Sequence, residues 1–232
     1  MTKEQSFDSV ALKSALELAC ILDDLKTRIR TGWIVWPVTV ERLESVAEHC
    51  WGCLILANLL HPLHPNRENI DLARVNEMLI WHEIGEAIIG DVPMSDEARH
   101  DAKAEDEHRA WRKLLAPLPY GERVYALLIE FDAHETAESL FAFPIDKLEA
   151  LKHMKEDVDR GSFHSLPWYL VHSEMIYNGE SVRKKIDEGA ETPVDIWYDE
   201  KTAPYKDDEF FMAVHRMFRE MNTDLAPPPL GD

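Results

Sequence analysis

Apolar residues along the chain recur at helical rather than alternating intervals. In residues 7–30, Val10, Leu12, Leu16, Ala19, Leu22 and Leu25 are separated by charged positions, a spacing close to the helical period that predicts an amphipathic helix. The next stretch, RTGWIVWPVT, is short, aromatic and β-branched and contains Gly32 and Pro37, so it reads as a loop or extended connector. Residues 40–60 place Val46, Cys50, Cys53, Ala57 and Leu60 on one stripe with His49 beside it, predicting a largely buried helix that the prolines of HPLHPN stop. A third helix starts at Asn69 or Asp71, either able to cap it, and runs to Gly90, with Val75, Leu79, His82 and Glu86 sharing a face. Further helices are expected at 95–115, 124–131, 135–158, 167–188 and 207–221; Pro144 either kinks the helix at 135–158 or marks its true start. With no run of alternating strands and no internal repeat, the fold class is all-α, a helical bundle in one domain over 1–222 followed by a loose tail at 223–232.

Composition narrows the function. A chain of 232 residues supports one sizeable core, and 45% hydrophobic with 30% charged residues is ordinary for a globular domain. The net charge of −19 opposes binding to a nucleic-acid polymer, which draws its affinity from clustered Lys and Arg. A small phosphorylated substrate stays compatible if a bound cation inverts the local field. Three cysteines, Cys20, Cys50 and Cys53, cannot form a fully paired disulfide framework, so a reducing cytoplasm is expected. The N-terminal residues lack a basic segment followed by an apolar one, and nothing approaches the ~18 consecutive apolar residues of a membrane span, so neither export nor insertion is expected.

Candidate chemistry lies inside apolar helices. His82 and Glu83 are adjacent in MLIWHEIGEAII, and burying a carboxylate costs several kcal/mol unless a cation or hydrogen bonds compensate it. An isolated pair of this kind is satisfied by a buried His and a surface Glu. Here His49 lies in a second apolar helix and Asp146 in a third, within LFAFPIDKLEAL, and helix bundles build metal sites by directing such groups inward. Two imidazoles and two carboxylates suit Mn, Co, Fe, Zn or Mg without selecting among them.

The order His, then His with an acid, then Asp resembles the HD-domain phosphohydrolase superfamily over residues 25–155, in particular its 5′-deoxynucleotidase branch. The phrases that carry the resemblance are RTGW at 30–33, ESVAEH at 44–49, EAIIGDVP at 86–93 and DKLEAL at 146–151. It implies a divalent metal held by His49, His82, Glu83 and Asp146. It further implies that Glu86 orients the attacking water or protonates the leaving oxygen, and that Asp91 positions the nucleophile or the sugar. Trp33 corresponds to a tryptophan of the substrate pocket, Arg30 to a phosphate-binding arginine and Glu130 to a further carboxylate of the family, while Lys147 follows the metal aspartate. The chain departs from the pattern in three places, one being about two extra residues between Trp33 and His49. Gly32 stands where one family form has an arginine before the tryptophan, and Glu83 replaces the Asp of the name-giving motif, adding one methylene.

The implied activity is metal-dependent hydrolysis of (deoxy)nucleoside 5′-monophosphates, with possible homodimer formation. Two alternatives remain open: a (deoxy)nucleoside triphosphate triphosphohydrolase or pyrophosphohydrolase, and a non-catalytic nucleotide-binding protein that has lost turnover through Glu83. Cys50 and Cys53 form CWGC, but their mid-helix position on an apolar stripe favours core packing over a redox pair. His100, His108 and His134 lie between the metal pair and Asp146, where binuclear relatives place extra ligands; their charged surroundings favour solvated side chains.

Overall fold

A computed structural model describes residues 7–91, 97–172, 179–202 and 205–227, among which helices dominate and no β-strand forms beyond a single antiparallel bridge between Ile29 and Ser45. Twelve α-helices are seen among these residues. They are α1 (Ser9–Leu22), α2 (Gly32–Val35), α3 (Val46–Leu60), α4 (Leu72–Trp81), α5 (Glu86–Ile89), α6 (Glu97–Leu115), α7 (Gly121–Ala133), α8 (Ala137–Asp159), α9 (Leu166–His172), α10 (Gly179–Asp187), α11 (Pro193–Thr202) and α12 (Glu209–Glu220).

Local chemistry explains the starts. Asp8, Asp71 and Asp208 accept from the first backbone N–H groups of α1, α4 and α12, while Ser45 with Glu48 and Thr136 with Ser139 close reciprocal capping boxes at α3 and α8. Of the two caps expected for the third helix, Asp71 is the one used.

Helix α8 is the axis of the fold: it packs against α3, α4, α7, α11 and α12 and buries Phe141, Ala142, Ile145, Leu148, Leu151 and Met154. Pro144 sits inside it without ending it; a proline there removes the hydrogen bond to the carbonyl of Leu140, a residue 53% exposed. A second cluster centred on Trp111 joins α1, α6 and α7 to Ile84.

Several expectations are corrected. The first helix rests on Ala15, Leu18 and Leu22 and leaves Val10, Leu12 and Leu16 exposed, because the segment carries more apolar residues than one face can bury; it also ends at Leu22, followed by a 3-10 turn. Residues 32–35 are helical rather than a plain connector. The helix expected to run unbroken to Gly90 divides at 82–85, where Ile84, Glu86 and Ala87 donate to carbonyls three residues back. The cause is long-range: a Cβ on Gly85 would lie 2.9 Å from Trp111 Nε1, so α6 presses on the turn. Helix α7 starts three residues earlier than expected, since Gly121 lets its backbone approach the Leu115 carbonyl. Of the helix expected at 167–188, α9 and α10 are described on either side of residues 173–178, which lie outside the described residues, and α11 was not expected at all. Ser95, Pro93, the side chain of His100 and residues 228–232 of the expected tail lie outside the described residues. Thr223 is tied to Asp159 through its backbone N–H (2.8 Å) and its hydroxyl (2.7 Å).

Candidate metal centre and active site

Three elements converge on one buried point. Helix α3 carries His49, completely buried one turn after the Ser45 cap, and α8 carries Asp146, whose Oδ1 lies 3.1 Å from His49 Nε2. His82 occupies the C-terminal cap of α4, and its Nδ1–H donates to the Leu79 carbonyl at 2.8 Å. That bond fixes the tautomer and leaves Nε2 buried without a protein hydrogen-bond partner, with the ring centroids of His82 and His49 5.6 Å apart. Glu83 Oε1 lies 3.8 Å from His49 Nε2, 3.7 Å from His82 Nε2 and 2.7 Å from Arg30 Nη1.

The electrostatics suit a cation. Burial pushes the Asp146 carboxyl up, but Lys147, whose Nζ stands 2.6 Å from Oδ2, and the two imidazoles outweigh it and hold the group well below the usual carboxylate range. Glu83 is likewise lowered, because His82, Arg30 and His49 overcome its burial. Burial lowers the His82 pKa against the pull of Glu83 and Asp146, in the direction of the neutral ring that a ligand requires. An unpartnered buried imidazole nitrogen beside two ionised carboxylates fits a divalent metal: His49, His82 and Asp146 would hold it, with Glu83 adjoining.

Cys53 falls in the same cluster, its Sγ 3.6 Å from Nε2 and 3.9 Å from Nδ1 of His49. A ligand sharing a metal with Nε2 would lie out along that nitrogen's lone pair and far from Nδ1. The near-equal distances instead place the sulfur beside the ring, and burial pushes the thiol up to about 12. Cys53 therefore packs, as its stripe implies, and Cys50 is buried as well.

Glu86, 1% exposed, feels the charges of Glu83, Asp91 and Arg30 and has a buried oxygen, Oε2, without a protein partner. Burial, reinforced by Glu83 and Asp91, raises its pKa to about 10, so it carries a proton at neutral pH. Asp91 accepts from both the backbone N–H and the hydroxyl of Thr31, the latter at 2.8 Å, and so anchors the loop that presents Arg30. Two expected substrate contacts have protein partners of their own. Trp33 is buried, donates to Glu44 Oε2 at 3.2 Å and packs on His153, Phe163 and Trp197. Glu130 is committed to Arg74 and to the Thr136 hydroxyl (2.9 Å), a tie between α4, α7 and the start of α8. Of the extra histidines, His108 pairs with Asp132 at 3.5 Å and His134 lies tilted against the ring of Phe143.

The structure adds residues that periodicity alone does not single out. Glu149 accepts from His49 Nδ1 at 2.6 Å. Lys103, 3.3 Å from Glu107, lies on the α6 face that continues to Ala110 and Trp111 over the Gly85 turn. Burial lowers its pKa, but Glu83, Glu107, Glu86 and Asp91 outweigh that and raise it to about 12.

An all-helical domain that gathers imidazoles and carboxylates from three helices around one buried point, with a protonated glutamate beside it, has the make-up of a metal-dependent phosphohydrolase. The chain belongs to the HD domain family, whose pattern matches residues 22–169. It is similar to the 5′-deoxynucleotidase HDDC2 of Homo sapiens (26% identity; 66% of this chain and 73% of the relative) and to that of Xenopus laevis (30%; 62% and 69%). It is also similar to the 5′-deoxynucleotidase hdd1 of Schizosaccharomyces pombe (30%; 58% and 68%). Among solved structures, one described as a predicted metal-dependent phosphohydrolase from Magnetospirillum magnetotacticum MS-1 superposes with a TM-score of 0.55 at 28% identity, covering 78% of this chain and 95% of the other. The PH0347 protein of Pyrococcus horikoshii OT3, at 21% identity and a TM-score of 0.58, shares the fold over 87% of this chain and 99% of its own.

Proposed function

We propose that this chain hydrolyses (deoxy)nucleoside 5′-monophosphates to nucleoside and phosphate, with a divalent metal at His49, His82, Glu83 and Asp146. The observation that carries the reading is the pairing of a buried, partnerless His82 Nε2 beside ionised Asp146 with a protonated Glu86 in the same pocket. Similarity to proteins named 5′-deoxynucleotidase supports the substrate class.

A cation bound there supplies Lewis acidity toward the phosphoryl oxygens and acidifies water. Glu86, protonated before the reaction, delivers its proton to the departing sugar 5′-oxygen, which would otherwise leave as an alkoxide. Lys103 and Arg30 supply positive charge on the same side, a requirement for anion entry into a chain of net charge −19. Asp91 acts through Thr31 by holding the Arg30 loop.

The metal is drawn from Mn, Co, Fe, Zn and Mg, since a mixed nitrogen and oxygen shell selects no further. A cytoplasmic setting is supported by three cysteines that are all free; among the described residues, no helix is long and apolar enough to cross a membrane. A homodimer is supported by the exposed stripe of Trp51, Ile55 and Leu59 on α3.

The test is to strip the protein of metal, reload it with Mn or Co and assay a panel of deoxynucleoside and ribonucleoside 5′-monophosphates. Release of inorganic phosphate is expected. Phosphorus NMR with triphosphate substrates supplies the contrast: pyrophosphate or triphosphate as product, without monophosphate cleavage, would replace this reading. Tight nucleotide binding without turnover under any metal would point to a sensor.

A further inference from the structure

His49 is gripped at both ring nitrogens by one helix. Asp146 and Glu149 stand three residues apart on α8, on the same face, and meet Nε2 at 3.1 Å and Nδ1 at 2.6 Å. Glu149 is 3% exposed and its carboxylate can only accept, so Nδ1 donates to it, and Nε2, which meets Asp146, is the nitrogen left to exchange its proton for a metal. Helix α3 makes room for this contact. Gly52, three residues after His49, has no side chain, and a Cβ there would collide with Glu149 Oε1 and lie 2.7 Å from its Cδ. Neighbouring Glu44 and His153 have ligand atoms within 4.8 Å of Glu149, but Glu149 is already committed to His49, so these two form an outer layer behind it.

We infer that Glu149 is a positioning residue for the metal centre, that it fixes the tautomer and orientation of His49, and that Gly52 is glycine to admit it. The inference rests on the proposed metal reading. A carboxylate behind a metal-binding imidazole sets which nitrogen faces the metal and raises its basicity, and loss of such a partner typically costs about 10–100-fold in metal affinity. Neither residue touches substrate in this arrangement. Their effect is expected in metal affinity rather than in the reaction itself once the metal is saturating.

The experiment titrates metal-free protein with Co(II) against a competing chelating dye, follows the cobalt absorption bands, and records thermal unfolding of each metal-free variant. Glu149→Gln keeps shape and volume and should weaken cobalt binding about 10–100-fold. Gly52→Ala adds a helix-favouring residue and should weaken it in the same direction by displacing the carboxylate. The double variant should bind no more weakly than Glu149→Gln alone, because both changes act on one group. Cobalt affinity of Glu149→Gln within twofold of the parent would overturn the inference, as would a loss seen only in the unfolding temperature of the metal-free protein. Asp146→Asn separates the two readings. If the parent binds cobalt and Asp146→Asn does not while Glu149→Gln is unchanged, only the role of Glu149 falls; if the parent itself binds none, the metal centre falls with it.

Discussion

Arg30 Nη1 stands 2.7 Å from Glu83 Oε1, joining the loop before α2 to the turn between α4 and α5 inside a largely buried pocket. Glu83 is also the position at which the chain departs from the His-Asp pattern of its family. The extra methylene has a partner: it carries the carboxylate to the guanidinium while one oxygen stays within 3.8 Å of both imidazole nitrogens. The substitution is thus accommodated within the site, and an unpaired buried charge is avoided.

Shortening this side chain should break the pair and leave the carboxylate in reach of the metal. Glu83→Asp is expected to retain metal, to keep phosphate release within about tenfold of the parent and to change the ranking of Mn, Co and Zn, while Arg30→Ala, which strands a buried carboxylate, should destabilise the metal-free fold by about 3 kcal/mol. Metal titrations and urea denaturation measure the two effects. Unchanged metal ranking in Glu83→Asp would mean that Glu83 serves Arg30 alone.

Glu86 gives a prediction with a pH signature. Its pKa rises from an ordinary 4.5 to about 10 on folding, so the protonated side chain contributes stability in full below about pH 4.5, and that contribution is lost as pH rises through about 10. Glu86→Gln preserves the neutral shape and removes the cost of keeping the proton. Metal-free Glu86→Gln should therefore exceed the parent in stability at pH 8 by on the order of 2 kcal/mol, show no advantage at pH 4.5, and lose at least ~100-fold in turnover. Urea denaturation at both pH values decides it; an equal difference at the two would remove the titration of Glu86 from the account.

Helix existence and many helix starts could be read from the chain because their causes are local: Asp71, Ser45 with Glu48, and the apolar stripe of α3 act within a few residues. The break at 82–85 could not, since it depends on Trp111 lying against Gly85 across a distance of 26 positions in sequence. The site divides along the same line. His49, His82 and Asp146 stand out as polar residues in apolar surroundings. Glu149 reads as one more charge on a helix until His49, a hundred positions earlier, is seen against it. Trp33 and Glu130 show the opposite case: residues that resemblance places near substrate are held here by Glu44, Arg74 and Thr136 in structural contacts.

Cys53 separates geometry from proximity. Its sulfur is close enough to His49, His82 and Asp146 to be counted with them, yet it sits beside the imidazole rather than beyond Nε2. A thiolate ligand would make the centre softer and favour zinc over manganese, whereas a packed thiol leaves the shell to nitrogen and oxygen. Cys53→Ala should therefore keep the parent's metal content per chain, retain the parent's order of metal affinities and cost about 1 kcal/mol through lost packing. Elemental analysis after dialysis and cobalt absorption measure this. A cobalt spectrum of the parent with an intense sulfur-to-metal charge-transfer band, absent in Cys53→Ala, would instead make Cys53 a ligand and shift Glu83 wholly to its pairing with Arg30.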